Sequence, residues 1–327
     1  MLKHTLIRCG SCIAIMLVSI TSQAEEASKV ATLENVTINY HFMDDESVEK
    51  KHEINDLTNQ AFSAYTKLFG GLPRDEKGKE YSEITIHVNK GKYLGGEADP
   101  KLIMLSWREG KTFGFATWQT ILLHELFHLW SGESIRYQDG REHWFNEGFS
   151  EFYAYKTAVE LGLISSNEML AVASSVIGYY LSASRLGELS MRDAGRTNKA
   201  KFDNYFLVYS GGWTMAMALD HDIRKRTNNN KSIDNLMPWL YSNFHRDKRR
   251  YTLQDINQGI RLNTELDYSK FLDSYVDGNA VLPISEYLPI SDALWALTLH
   301  KKNKREFTEL YETLGIKDSN QIKVMVR

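Results

Sequence analysis

The chain has 327 residues, 43% hydrophobic and 25% charged, with a formal charge of −3 at pH 7. That is enough apolar material for one large core or two closely packed lobes, and it excludes a disordered or fibrous chain. The weak net acidity speaks against nucleic acid as a partner.

Residues 1–24 have the pattern of an export signal. Lys3 and Arg8 give a positive start, residues 12–20 an apolar run, and Ser22-Gln23-Ala24 a small-residue cleavage site. The apolar run is about half the roughly 20 residues that a spanning helix needs, so cleavage after Ala24 is expected, with no stable membrane insertion. Cleavage leaves 37 basic against 42 acidic residues, a formal charge of −5. Both cysteines, Cys9 and Cys12, lie in the leader, so the mature chain has no disulfide, thiolate ligand or cysteine nucleophile. An exported chain without disulfides fits a bacterial periplasm, with secretion the alternative.

Residues 35–42 (NVTINYHF) alternate as a strand does, and 45–69 carry helical spacing up to the stop Gly70-Gly71-Leu72-Pro73. Strands are expected at 82–88 (SEITIHV) and 102–107 (LIMLSW). Beyond Thr112 strand signals nearly vanish, and helices are expected at 115–130, 146–161, 167–181 and 210–226. The fold class is therefore α+β: a small mixed α/β lobe over 25–110, then a mostly helical lobe over 111–327. The polar stretch 182–204 is the longest candidate loop, and the basic clusters 224–226, 248–250 and 301–305 read as solvated faces.

One short stretch carries chemistry: HELFHLW, 124–130. On a helix, positions four apart share a face, so His124 and His128 can place two imidazole nitrogens on one ion, with Glu125 beside them as a general base. The plain alternative is an amphipathic helix whose histidines are satisfied by hydrogen bonds. A catalytic zinc site needs a third protein ligand and an open position. Glu147, in HWFNEGFSEFYAY, stands 18 residues past His128 at the start of the next expected helix.

In these residues the chain resembles the gluzincin metallopeptidases, whose pattern is H-E-x-x-H, 18 residues, then a glutamate within N-E-G-F. The matching residues are His124, Glu125, His128, Asn146, Glu147, Gly148 and Phe149. The resemblance implies a thermolysin-like catalytic domain holding one zinc ion on His124, His128 and Glu147. It also implies Glu125 as base and Glu151, one turn after Glu147, as acceptor for a ligand histidine. Tyr209 in YSGG matches the oxyanion-stabilising tyrosine of the Y-x-x-G segment and Gly212 its glycine; Gly211 replaces the usual lysine, and Tyr205 is the competing tyrosine.

Three further segments narrow the resemblance to the glycyl aminopeptidase family: 57–73 (LTNQAFSAYTKLFGGLP), the stretch from Met215 through KSIDNLMPWLY, and 275–288 (YVDGNAVLPISEYL). This family implies a peptide or protein substrate and aminopeptidase action. Its G-G-x-E-H segment, whose glutamate holds the substrate's free α-amine, appears here as LGGEADP, one residue short and without the histidine. Glu97 is the candidate amine anchor, and a turn glutamate the alternative. An endopeptidase, or a retired zinc-binding scaffold of the same fold, remains the rival to an aminopeptidase. Neither side-chain preference nor oligomeric state has a signature in the sequence.

Overall fold

The computed structural model describes residues 30–33, 35–245 and 249–288. The leader at 1–24, Lys248 and the basic cluster 301–305 lie outside the described residues.

A five-stranded mixed sheet comes first: β1 (Val30–Leu33), β2 (Val36–Phe42), β3 (Glu83–Lys90), β4 (Gly95–Asp99) and β5 (Leu102–Trp107), in the order β1-β2-β3-β5-β4. β2, β3 and β5 run parallel, and β1 and β4 are antiparallel edges. Two-residue alternation gives the sheet an apolar face of Ile38, Tyr40, Ile84, Ile86, Val88, Ile103 and Leu105, all buried. The other face carries His41, His87 and Met104 in one cross-strand row.

Between β2 and β3 the chain forms α1 (Asp45–Glu49) and α2 (Lys51–Phe69). Asp44 caps α1 by accepting from Ser47 N at 2.7 Å, and Gly70, at φ 77, ends α2 where a side chain would be strained.

Helices follow β5: α3 (Trp118–His128), α4 (His143–Glu160), α5 (Ser166–Leu181), α6 (Met191–Ala194), α7 (Asn198–Asp203), α8 (Gly211–Arg226), α9 (Leu236–Asn243), α10 (Leu253–Thr264), α11 (Ser269–Leu272) and α12 (Ile284–Tyr287). π-helical turns at Phe206–Ser210 and Asp273–Asp277 interrupt them. No helix among the described residues is long and apolar enough to cross a membrane.

The expected strands and the helices ending at Phe69, Leu181 and Arg226 are present. β4 was not expected, and 182–204 is not one loop: Ser190 and Thr197 cap α6 and α7 within it.

α3 packs on β4 and β5 on one side and on α2 and α4 on the other. Leu126, Phe127, Leu129 and Trp130 are fully buried, as a packing surface should be. Trp130 stacks on Phe69 and donates its indole N–H to Gly71 O at 2.8 Å, and Tyr65 donates to Leu123 O at 3.1 Å. α2 thereby fixes α3 against the sheet.

Candidate metal centre

α3 starts at a capping box between Thr117 and Thr120 and exposes one face to a cavity of about 1080 Å³ lined by His124, Glu125 and His128. α4 crosses α3 and supplies Glu147 and Glu151 to the same cavity.

His128 Nε2 lies 2.9 Å from His124 Nε2, and Glu147 Oε2 lies 3.6 Å from His124 Nε2 and 3.5 Å from His128 Nε2. Three ligand atoms from two helices thus converge, and all three side chains are buried. Tetrahedral zinc with bonds of about 2.0–2.1 Å places its ligand atoms about 3.3 Å apart, close to these separations.

The hydrogen bonds behind the ligands favour a cation. His128 Nδ1 sits 3.0 Å from Ser131 O; its N–H donates there, which leaves a lone pair on Nε2. His124 Nδ1 faces Glu151 Oε1 at 3.7 Å, beyond hydrogen-bond range but oriented so that Nε2 points inward. Burial alone would lower the His124 pKa, yet Glu151, Glu147 and Glu125 raise it to about 9. Positive charge is what this cluster of carboxylates selects, and the His, His, Glu donor set fits zinc.

Two lines of the site were not foreseen. Lys201, from α7, donates to Glu147 Oε1 at 2.7 Å, so one carboxylate oxygen is occupied and the other faces the histidines. Burial raises the pKa of Glu147, but His124, His128 and Lys201 outweigh it and hold the carboxyl well below its usual range. Asn146 accepts from Ser131 Oγ at 3.3 Å and Gly132 turns beside it at φ 108, which ties the end of α3 to α4.

Each residue of NEGF therefore has a task. Gly148 meets the backbone of Gly212 so closely that an added Cβ would lie 2.3 Å from Gly212 C, and Phe149 is in the core.

Glu125 is buried and lines the cavity; burial raises its pKa, against the effect of His124 and His128. Tyr209 lies in the π-helical turn before α8, stacked on Tyr205 with ring centroids 4.2 Å apart. Both line the cavity, and burial together with the charges of Glu147, Glu125 and Glu151 pushes both pKa values up, so both keep their protons as donors.

Glu97 is on strand β4, not in a turn, and is exposed. Its cross-strand partner on β5 is Met104. Glu97 nevertheless lines the same cavity as Glu125, His124, His128 and Glu147, and Gly96 beside it packs against the Glu125 side chain.

Residues 101–193, which include both histidines, Glu125, Glu147 and Glu151, match the Peptidase family M1 domain. No curated protein matches the chain significantly in sequence. An aminopeptidase N family protein from Idiomarina loihiensis shares the fold at TM-score 0.67 and 14% identity, over 79% of this chain and 48% of that one. A two-domain M1 zinc metallopeptidase mutant bound to L-tryptophan shares it at TM-score 0.52 and 18% identity, over 80% of this chain and 52% of that one. The chain thus spans about half the length of either structure. The finer placement beside the glycyl aminopeptidases stays with the sequence resemblance. Ligand pattern and matched segment make residues 101–193 similar to the M1 peptidase domain, and the chain shares the fold of these two zinc-peptidase-family structures.

Proposed function

We propose that the chain is a zinc-dependent peptidase, with His124, His128 and Glu147 holding one ion. The observation that carries this reading is the buried Glu125 carboxylate opening on the same cavity as three convergent ligand atoms. When bound, zinc supplies Lewis acidity, lowering the pKa of water in its open position and polarising a carbonyl.

The chain's own residues supply the rest. Glu125 takes the proton of the attacking water and returns it to the leaving amine; its raised pKa suits both tasks. Tyr209 donates to the oxygen that becomes negative as the carbonyl turns tetrahedral. Glu151 and Ser131 O keep the two imidazoles turned with Nε2 inward. α3 and β4 form one wall of the cavity, and the aromatic side chains of Phe113, Tyr179 and Phe206 line it further along.

The leader at 1–24 and the cysteine-free remainder support export to a periplasm as the setting. Aminopeptidase action is supported by the family resemblance and by the name of one structural relative, the aminopeptidase N family protein.

Glu125→Gln tests the reading. It should keep the fold and stoichiometric zinc but lower hydrolysis of a mixed peptide library by about 10²–10⁴-fold. Near-normal turnover in that variant would refute it.

A further inference from the structure

We infer that the outer face of the sheet carries a second metal site, in which the imidazoles of His41 and His87 and the thioether of Met104 bind one Cu(I) ion apart from the zinc centre.

The site begins with strand register. β2, β3 and β5 run parallel, with His41 opposite His87 and His87 opposite Met104. Successive residues of a strand point to opposite faces, and the flanking Tyr40, Phe42, Ile86, Val88, Ile103 and Leu105 are all buried on the inner one. His41, His87 and Met104 therefore share the outer face, His41 exposed and the other two half-buried.

Neighbouring strands lie about 4.8 Å apart, so an ion above such a row is within reach of adjacent side chains. The two imidazole rings are 5.0 Å apart, centroid to centroid, with 71° between their planes. The ligand pair of the zinc centre gives the measure: His124 and His128 are 4.6 Å apart at 81°, and that spacing brings their Nε2 atoms to 2.9 Å. The pair on the sheet is within half an ångström of the same separation and meets at a similar angle. Met104, the next side chain in the row, supplies a third donor.

The chemistry of the three side chains selects the ion. Burial and the facing His41 lower the pKa of His87, so its ring keeps a lone pair at neutral pH. Among the described residues neither ring has a hydrogen bond or an ion pair of its own, and the row brings no oxygen donor between them. Imidazole by itself serves zinc, copper and nickel, whereas a thioether selects copper in its monovalent state. An ion held this way ties three strands together, and because the unfolded chain lacks the row, its binding raises Tm.

The probe is Cu(I), kept reduced with ascorbate, buffered by bicinchoninate and titrated into zinc-loaded protein while zinc content is followed by atomic emission. One Cu(I) per chain is expected to bind with the full zinc complement retained. His41→Ala and His87→Ala should each weaken Cu(I) binding by about 100-fold or more, since removing a ligand exceeds the effect of removing a group that only supports one. Met104→Leu should weaken it by about tenfold or more and abolish the sulfur scatterer in the copper X-ray absorption spectrum. His52→Ala, on the exposed side of α2, should change nothing. Retained zinc shows that each variant is folded.

Copper taken up only as zinc leaves, or affinity unchanged in both histidine variants, would overturn the site. Loss in the histidine variants with no sulfur scatterer, or tighter binding of Zn(II) than of Cu(I) by the same residues, would overturn the assignment to Cu(I). Every readout is binding, so the result stands or falls separately from the peptidase reading.

Discussion

Lys201 Nζ lies 2.7 Å from Glu147 Oε1, and both side chains are about nine-tenths buried. The pair spans 54 residues of sequence and joins α7 to the first turns of α4. Lys201 is therefore the residue that decides which oxygen of Glu147 faces the histidines, and its charge offsets part of the anionic surroundings.

Lys201→Met should consequently weaken zinc binding by about 10–100-fold, the usual effect of removing a group that holds a ligand. Competition with a chromogenic chelator measures this without reference to turnover. Lys201→Arg keeps the charge but not the fit, and should lie between. Lys199→Met is the control: Lys199 is exposed and, among the described residues, pairs with Asp203 in the same helix, so zinc affinity should not change.

α4 and α8 meet glycine on glycine, Gly148 against Gly212. A Cβ on Gly212 would lie 1.9 Å from Trp144 O, and one on Gly148 would lie 2.3 Å from Gly212 C; both obstacles are backbone and cannot rotate away. Gly148→Ala and Gly212→Ala should each cost about 3 kcal/mol or more, which lowers Tm by about 5 °C or more in a chain of this size. Gly178→Ala gives the opposite sign. Its Cβ meets nothing within 4 Å, so removing a helix-interior glycine should stabilise by about 0.5–1 kcal/mol. Thermal melts of the three variants check the contrast.

These contacts show where the sequence was informative. The site on α3 was legible because helical spacing, apolar burial and ligand geometry share one period: residues 124 and 128 on a face, with Leu126, Phe127, Leu129 and Trp130 turned inward. Glu147 was legible through the resemblance, whose pattern sets a glutamate within N-E-G-F 18 residues past the second histidine. β4 was not, since GGEAD has neither β-branched residues nor alternating hydrophobicity, and becomes a strand only by pairing with β5. That omission left the register of Glu97 unread, because only its pairing with Met104 on β5 fixes its place on the edge strand. Lys201 was hidden for another reason. It lies in a polar stretch whose helix is a turn and a half long, and its partner is fixed only by tertiary structure; the cap residue Thr197 was the sole local clue.

Tyr209 and Tyr205, stacked at 4.2 Å, are both protonated donors at the cavity wall, so a substitution that removes only the hydroxyl separates them. Tyr209→Phe should lower kcat by about 10²–10³-fold with little change in KM, as expected for a donor used only when charge develops. Tyr205→Phe should change kcat by less than about tenfold, since the ring stack is kept and the role under test belongs to Tyr209. Steady-state kinetics on one peptide decide the matter, and the reverse order would assign the oxyanion role to Tyr205.

The entry to α4 depends on a second buried ion pair. Glu142, just before the helix, is 1% exposed; it accepts from Arg192 Nη2 at 2.6 Å and from the indole N–H of Trp144 at 3.0 Å. Arg192 also reaches Asp277 at 2.6 Å, so one guanidinium ties α4, α6 and the Asp273–Asp277 turn together. Burial raises the Glu142 pKa, and Arg192 works against that rise. Arg192→Met leaves the carboxylate buried without its cation and should cost about 3–5 kcal/mol. Adding Glu142→Gln removes the orphaned charge, so the double variant should recover part of the loss, giving a coupling of about 0.5–3 kcal/mol in a double-mutant cycle. Urea melts of the four proteins measure it. Additive losses would mean that Glu142 is held in place by Trp144 and the helix start alone.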